Sequence, residues 1–478
     1  MARHLLLTSI SLALLFSINH QANAQDQKLD PTRQEMALAA GYKAMFSCSA
    51  IFNGDKSSEQ ISGDELSNYY GDYIAPMAVI GDVNVNMADK YVSVSFADDM
   101  PPRISAWREH LGCTALPQGA GPDFIKHLPH VKLHAPKYDP AEAMWPQGDK
   151  LPNDPLSSDI DEAGLEAVFA KAFDGGFDGA TTAVVVLQNG RLISERYRDD
   201  FDMHTSQRTW SVAKSIGASL IGVAQHKGLI DVKDKAGLQA WSRKGDPRGE
   251  ITVENLLQMA SGLNSDPAGN RTDAIYFGGG LVAEHAAKNP LEVPPGTRWR
   301  YANNDTMLAM RALREKMSND RRYHAFPFKN LLHKIGMFHT VPEMDWDGDF
   351  ILSSQVWTTA RDLARLGQLY LNDGVWDGQR ILPEGWADYV AAPAGAQPPN
   401  RLGENADKPG RGYGAQFWRY ENYPGVPNDT YAALGNRGQF VIIVPSRQAV
   451  IVRRGYDWRG NYFDGPAFAA EVLVALEE

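Results

Sequence analysis

Residues 209–216 read Thr-Trp-Ser-Val-Ala-Lys-Ser-Ile, and the apolar residues Val212, Ile216, Leu220, Val223 and Ala224 recur at helical spacing. The pattern predicts a helix running to His226 and ended by Gly228. Ser211 and Lys214 stand three apart at its start, so one helical turn puts both side chains on one face. A hydroxyl is a poor nucleophile until its proton is taken. An amine can take it only when neutral, and a free lysine keeps its proton to a pKa of about 10.4. Burial and the positive end of a helix both disfavour the ammonium. A fall of three units corresponds to about 4 kcal/mol. The same first turn offers the Ser211 N–H to a developing oxyanion.

On the N-terminal side, Thr182–Leu187 and Arg191–Tyr197 flank Asn189-Gly190, a hairpin signal because both turn residues tolerate positive φ. Leu165–Phe173 reads as a short helix. On the C-terminal side, residues 240–400 are helix-rich, with Val253–Met259 and Thr359–Leu371 the clearest segments. Thr359 and Asp362 suggest a variant capping box. Strands return at Gly412–Tyr420, Gly438–Val444 and Ala449–Arg453, and Pro466–Glu477 closes as a helix. A sheet built from both ends, with helices between, predicts an α/β fold: an antiparallel sheet flanked by helices, with an inserted all-helical lobe.

Two further motifs accompany the first. Pro294–Asn303 carries Tyr301 and Asn303 after a Pro-Gly turn. A phenol can relay a proton, and an amide side chain offers both a donor and an acceptor to a substrate. Asn436-Arg437-Gly438-Gln439 precedes a strand, where Gly438 permits close approach of a substrate. The N–H of Gln439 is then a candidate second oxyanion donor.

S-V-A-K, Y-A-N and the glycine strand motif, in this order, resemble the serine β-lactamase and penicillin-binding-protein superfamily. The tyrosine of the second motif is similar to the class C branch and its esterase and 6-aminohexanoate-dimer hydrolase relatives. LLQMASGL at 256–263, TTARDLARLG at 358–367 and YGAQFW at 413–418 are similar too. The resemblance covers about residues 160 to 478 and implies a serine hydrolase domain over 158–478. It implies that Ser211 is acylated, Lys214 activates it, and Tyr301 shares protons with Lys214 and serves the leaving group or water. Asn303, Asn436, Gly438 and Gln439 are the implied substrate-binding residues. The family uses no metal or organic cofactor, and a small acyl compound is the expected substrate. One departure stands out: Asn436 occupies the place of the Lys or His of K-T-G or H-T-G. Asn carries no charge to offer Tyr301 or a β-lactam carboxylate. Arg437 restores it only by turning inward, against strand alternation. The reading is therefore an esterase or amidase, with a β-lactamase or D,D-peptidase as the second enzyme reading. A catalytically silent cell-wall or ligand-binding protein is the third, and the presence of Ser211, Lys214 and Tyr301 together argues against it.

The chain has 478 residues, 43% hydrophobic and 22% charged, with a net charge of −11. That balance supports a large core, and the acidic surface disfavours a nucleic-acid partner. Residues 1–24 read as a secretory signal peptide: Arg3, an apolar stretch from Leu5 to Ile18, and Ala22-Asn23-Ala24. The apolar stretch is too short to span a bilayer, so a periplasmic or secreted protein without a membrane span is expected. Cys48 and Cys113 are the only cysteines. In an oxidising compartment they most simply form one disulfide; two buried free thiols are the alternative. Residues 25–135 form an expected accessory domain, and the prolines of 136–157 suggest an exposed, stiffened linker. His127, His130 and His134 lack the spacing of a metal site, since Pro129 interrupts them. Asp345, Asp347 and Asp349 lack the glycine and glutamate of a calcium loop and read as a solvated turn.

Overall fold

The computed structural model describes residues 30–69, 71–136, 138–265 and 273–476. The expected signal peptide lies outside them. Helix α1 (Arg33–Phe52) starts at a Thr32–Glu35 capping box and packs on a four-stranded antiparallel sheet. Its strands are β1 (Asn84–Asn86), β2 (Tyr91–Val94), β3 (Arg103–Arg108) and β4 (Gly112–Ala115). A disulfide joins Cys48 on α1 to Cys113 on β4, closing a separation of 65 residues. The segment expected as an accessory domain shares one continuous buried cluster with the helical lobe, through residues such as Tyr42, Phe46 and Phe277.

After α2 (Glu162–Phe173), strands β5 (Thr181–Gln188) and β6 (Arg191–Tyr197) form the expected hairpin. Asn189 and Gly190 both take positive φ at its turn. Strand β7 (Gln207–Arg208) leads into α3 (Val212–His226). The helical lobe follows and includes α4 (Asn303–Met317). Short strands β8 (Val341–Pro342) and β9 (Val356–Thr358) add to β7 in the order β7-β9-β8. Then come α5 (Ala360–Leu371), β10 (Gly410–Tyr413), β11 (Trp418–Glu421), β12 (Tyr431–Gly435), β13 (Gln439–Val444), β14 (Ala449–Gly455) and α6 (Gly465–Ala475).

The main sheet has seven antiparallel strands in the order β10-β11-β12-β13-β14-β5-β6. Period-two alternation sends its two faces into two cores. Ala183, Val185 and Leu187 of β5 face α3 and α5, whereas Val184 and Val186 face α2 and α6. The architecture is the expected helix-flanked antiparallel sheet with an inserted helical lobe.

Three local expectations differ. Gly412–Tyr420, expected as one strand, is split between β10 and β11, because Gln416 adopts φ +63° and reverses the chain. Thr359 caps α5 by accepting from Asp362 N, but the Asp362 carboxylate turns away to His339 N and Thr340. The proline-rich stretch expected as exposed is docked: Arg365 donates to the carbonyls of Pro146 and Gly148, and Trp145 is buried.

Candidate active site

The site is built where β7 turns into α3. Trp210 has φ +50°, an unusual conformation for a bulky residue, costing roughly 1–3 kcal/mol. It is held there by stacking: the Arg208 guanidinium lies 3.9 Å from its ring and 4.4 Å from that of Phe46. The kink places Ser211 at the head of α3, half-exposed, with no side-chain capping bond to occupy its hydroxyl.

Lys214 is buried one turn further on, and its Nζ stands 3.3 Å from Ser211 Oγ. Nζ also donates to Asn303 Oδ1 and to the Ser353 carbonyl, both at 2.7 Å. Burial pushes the Lys214 ammonium down to about 7, and the Arg208 cation adds to the shift. A neutral amine has two N–H groups and one lone pair. With the N–H groups spent on Asn303 and Ser353, the lone pair is left for the Ser211 hydroxyl. This geometry suits removal of the serine proton.

Tyr301 shares a hydrogen bond with Ser211, and its ring lies 5.0 Å from Lys214 Nζ. Burial raises its phenol above the ordinary value, so at neutral pH it is a proton donor rather than a phenolate. The ring sits in an aromatic wall with Trp299, Tyr413 and Trp418. Tyr413 and Trp418 come from the two strands that the Gln416 turn separates, so the split hairpin shapes the site. One turn along α4, the buried Asp305 accepts from Ser261 Oγ at 2.7 Å and anchors the 259–263 loop. Its carboxyl is pushed up to about 7 by burial.

Ser211, Lys214, Tyr301 and Asn303 thus converge. The third motif brings a separate set of contacts. Gln439 begins β13 opposite Gly435. Its side chain turns inward, donating to the carbonyls of Arg437 (3.0 Å) and Gly455 (2.7 Å) and accepting from Arg454. Gly438 lies against Arg453 and Asp457, which a Cβ there would strike. The residue that closes on the nucleophile loop is Gly435, where a Cβ would run into the Thr209 carbonyl oxygen. Asn436 is exposed in the turn. Arg437 donates to the Asp64 carbonyl at 2.6 Å and stacks 5.1 Å over Tyr456. Asn436 and Arg437 line a cavity of about 290 Å³ with Trp210, Tyr42, Tyr69 and Tyr462, so the N-terminal segment forms a wall beside the nucleophile.

Arg208, Gly435, Phe46 and the Ser353 carbonyl carried no motif in the sequence; tertiary approach alone reveals them. The Asp345–Asp349 turn is not solvated. Asp345 and Asp349 are buried, the first accepting from backbone N–H groups and the second pairing with Arg311 at 2.7 Å.

Comparison with known proteins agrees with this geometry. A 6-aminohexanoate-dimer hydrolase from Paenarthrobacter ureafaciens is 24% identical over 287 residues, covering 57% of this chain and 72% of that protein. The fold is shared with a penicillin-binding protein homologue from Caulobacter crescentus (TM-score 0.50, 16% identity, covering 66% of this chain and 96% of that one). It is shared also with a family VIII carboxylesterase (TM-score 0.50, 14% identity, 67% and 97%). The family model for beta-lactamase matches residues 167–453, more than half of the sequence, and includes Ser211, Lys214, Tyr301, Asn303 and Gly435. This chain therefore belongs to the beta-lactamase family and is a serine hydrolase.

Proposed function

We propose that the protein hydrolyses a small ester or amide through an acyl-enzyme on Ser211. Lys214 Nζ takes the hydroxyl proton as Oγ attacks the carbonyl carbon. The tetrahedral intermediate collapses as the carbonyl–leaving-group bond breaks, and the leaving group receives a proton relayed from Lys214 through Tyr301. Water then attacks the ester, gives its proton back along the same groups and frees Ser211. The observation that carries this reading is the 3.3 Å approach of an amine, with its N–H groups otherwise engaged, to the serine hydroxyl. The activities named for the Paenarthrobacter hydrolase and the family VIII carboxylesterase support amide and ester substrates respectively. The absence of a lysine in the Asn436-Arg437-Gly438 turn weighs against a penicillin or cephalosporin. The leader-like residues 1–24 and the Cys48–Cys113 disulfide support an exported protein.

The test is a panel of p-nitrophenyl esters, short amides, D-amino-acid peptides and a chromogenic cephalosporin, run with the native enzyme and Ser211→Ala. Ester or amide turnover that falls by at least about a thousandfold in Ser211→Ala is expected. Turnover that survives the substitution, or that is confined to the cephalosporin, contradicts the reading.

A further inference from the structure

Three side chains from distant parts of the chain meet away from the groups around Ser211. Asp149 comes from the docked proline-rich stretch, His204 from the loop before β7, and His339 from the loop before β8. One ligating atom of each lies within 4.8 Å of the others. His339 Nε2 is 4.0 Å from Asp149 Oδ2, and the two imidazole rings are centred 5.1 Å apart. We propose that Asp149, His204 and His339 form a binding site for a divalent metal cation of the zinc type.

The donor chemistry fits. Two imidazoles and one carboxylate are a three-ligand set that leaves a fourth position for water. Donor atoms of a tetrahedral zinc site stand about 3.3 Å apart, given metal–nitrogen bonds of about 2.0 Å. Closure from the present spacing needs a movement of about an ångström. His204 is exposed and His339 retains 39% of its side-chain surface, so both rings have room to turn. Asp149 is the fixed member. Its Oδ1 accepts from Arg365 at 2.8 Å, which orients the carboxylate and leaves Oδ2 toward His339.

The local charge also favours a cation. Arg361 is matched by Glu195, and Arg365 by Asp362 at 2.9 Å. Asp149 shares Arg365 with Asp362, so three carboxylates face two arginines and the group carries one net negative charge. The contrast with the other candidates is plain. Among the described residues, His127, His130 and His134 do not converge as a ligand set, and Asp349 is neutralised by Arg311.

A bound cation would join three segments that otherwise meet through loops. His204 precedes β7 and the Trp210 kink, while His339 precedes β8; β7 and β8 both pair with β9. The metal would tie both flanks of that small sheet to the 136–157 stretch, adding stability that grows with the logarithm of free metal above its dissociation constant.

The experiment uses the whole purified protein, stripped with a chelator and titrated with Zn2+ by calorimetry. Co2+ replaces Zn2+ in a parallel titration to give a ligand-field absorption spectrum. His204→Ala and His339→Ala remove ligands, and His127→Ala is the control. One equivalent of Zn2+ should bind the native protein and the control, raise the melting temperature of both, and do neither in the two ligand variants. The melting temperature of each stripped variant establishes that it is folded. No saturable binding to the native protein, or binding that survives in either ligand variant, overturns the proposal.

Discussion

At the scale of single residues, the site depends on a buried amine whose surroundings cannot stabilise its charge. Lys214 has burial as the main cause of its lowered pKa and Arg208 as the second. Arg208 is itself buried and held between Phe46 and Trp210, so one cation both supports the nucleophile kink and repels the lysine proton. Replacing Arg208 with Gln removes the like charge. The acid limb of kcat/KM is expected to move to higher pH by about one unit, with activity retained on the alkaline side. A plain loss of activity at every pH, with the limb unmoved, would make Arg208 a packing residue only. Lys214 also bears on stability. Its folded pKa of about 7 lies below the unfolded value of about 10.4. The cost of the buried charge is therefore full below pH 7 and fades as pH rises toward the unfolded value. Lys214→Met should be inactive yet melt higher than the native protein at pH 6, with the gap narrowing by pH 9. A gap that widens toward pH 9 contradicts this assignment.

At the scale of elements, the close packing of the β12 end against the nucleophile loop is the most sensitive contact. Gly435→Ala would press a methyl group on the Thr209 carbonyl. It is expected to cost about 1–3 kcal/mol in thermal unfolding and to lower kcat, because the displaced carbonyl belongs to the turn that carries Ser211. Unchanged kcat and melting temperature would show that the strand end yields freely. The elements themselves were largely legible. Asn189-Gly190 and the helical period after Ser211 are local signals, and local signals survive into the fold. That Ser211, Lys214 and Tyr301 meet was legible because motif order stood in for tertiary contact. The split of Gly412–Tyr420 was not, since Gln416 gives no hint of its positive φ. The approach of Gly435 to the Thr209 carbonyl was not legible, because strand register, which sequence spacing does not specify, decides which glycine meets the loop.

For the whole molecule, the N-terminal region outside the family match is part of the machinery's support. Phe46 on α1 backs Arg208, and Tyr42 lines the cavity beside Trp210. A single carboxylate helps hold this region down. Glu343 Oε1 accepts from Ser49 Oγ (2.6 Å), Asn53 Nδ2 (2.9 Å) and Cys113 N (3.0 Å). Burial pushes the Glu343 carboxyl up to about 7, above its unfolded value of about 4.3. The folded state thus binds the extra proton, and its stability falls as pH rises from 4.3 to 7. Glu343→Gln keeps the acceptor oxygen and removes the charge. It should stabilise the protein by up to about 4 kcal/mol at pH 8 and by little at pH 4.5, as read by denaturant unfolding at each pH. A benefit that is equal at both pH values would point to packing instead.

The mechanism is tested most directly by the rate at which a fluorophosphonate labels Ser211, followed by intact mass and peptide mapping across pH 5 to 9. The labelling rate should rise about tenfold per unit on the acid side and level off near pH 7, on Ser211 alone. Lys214→Arg, which holds its proton throughout this range, should label slowly with no plateau near pH 7. A rate in the native enzyme that is flat across the range, or an adduct on a residue other than Ser211, would mean that Lys214 does not activate Ser211.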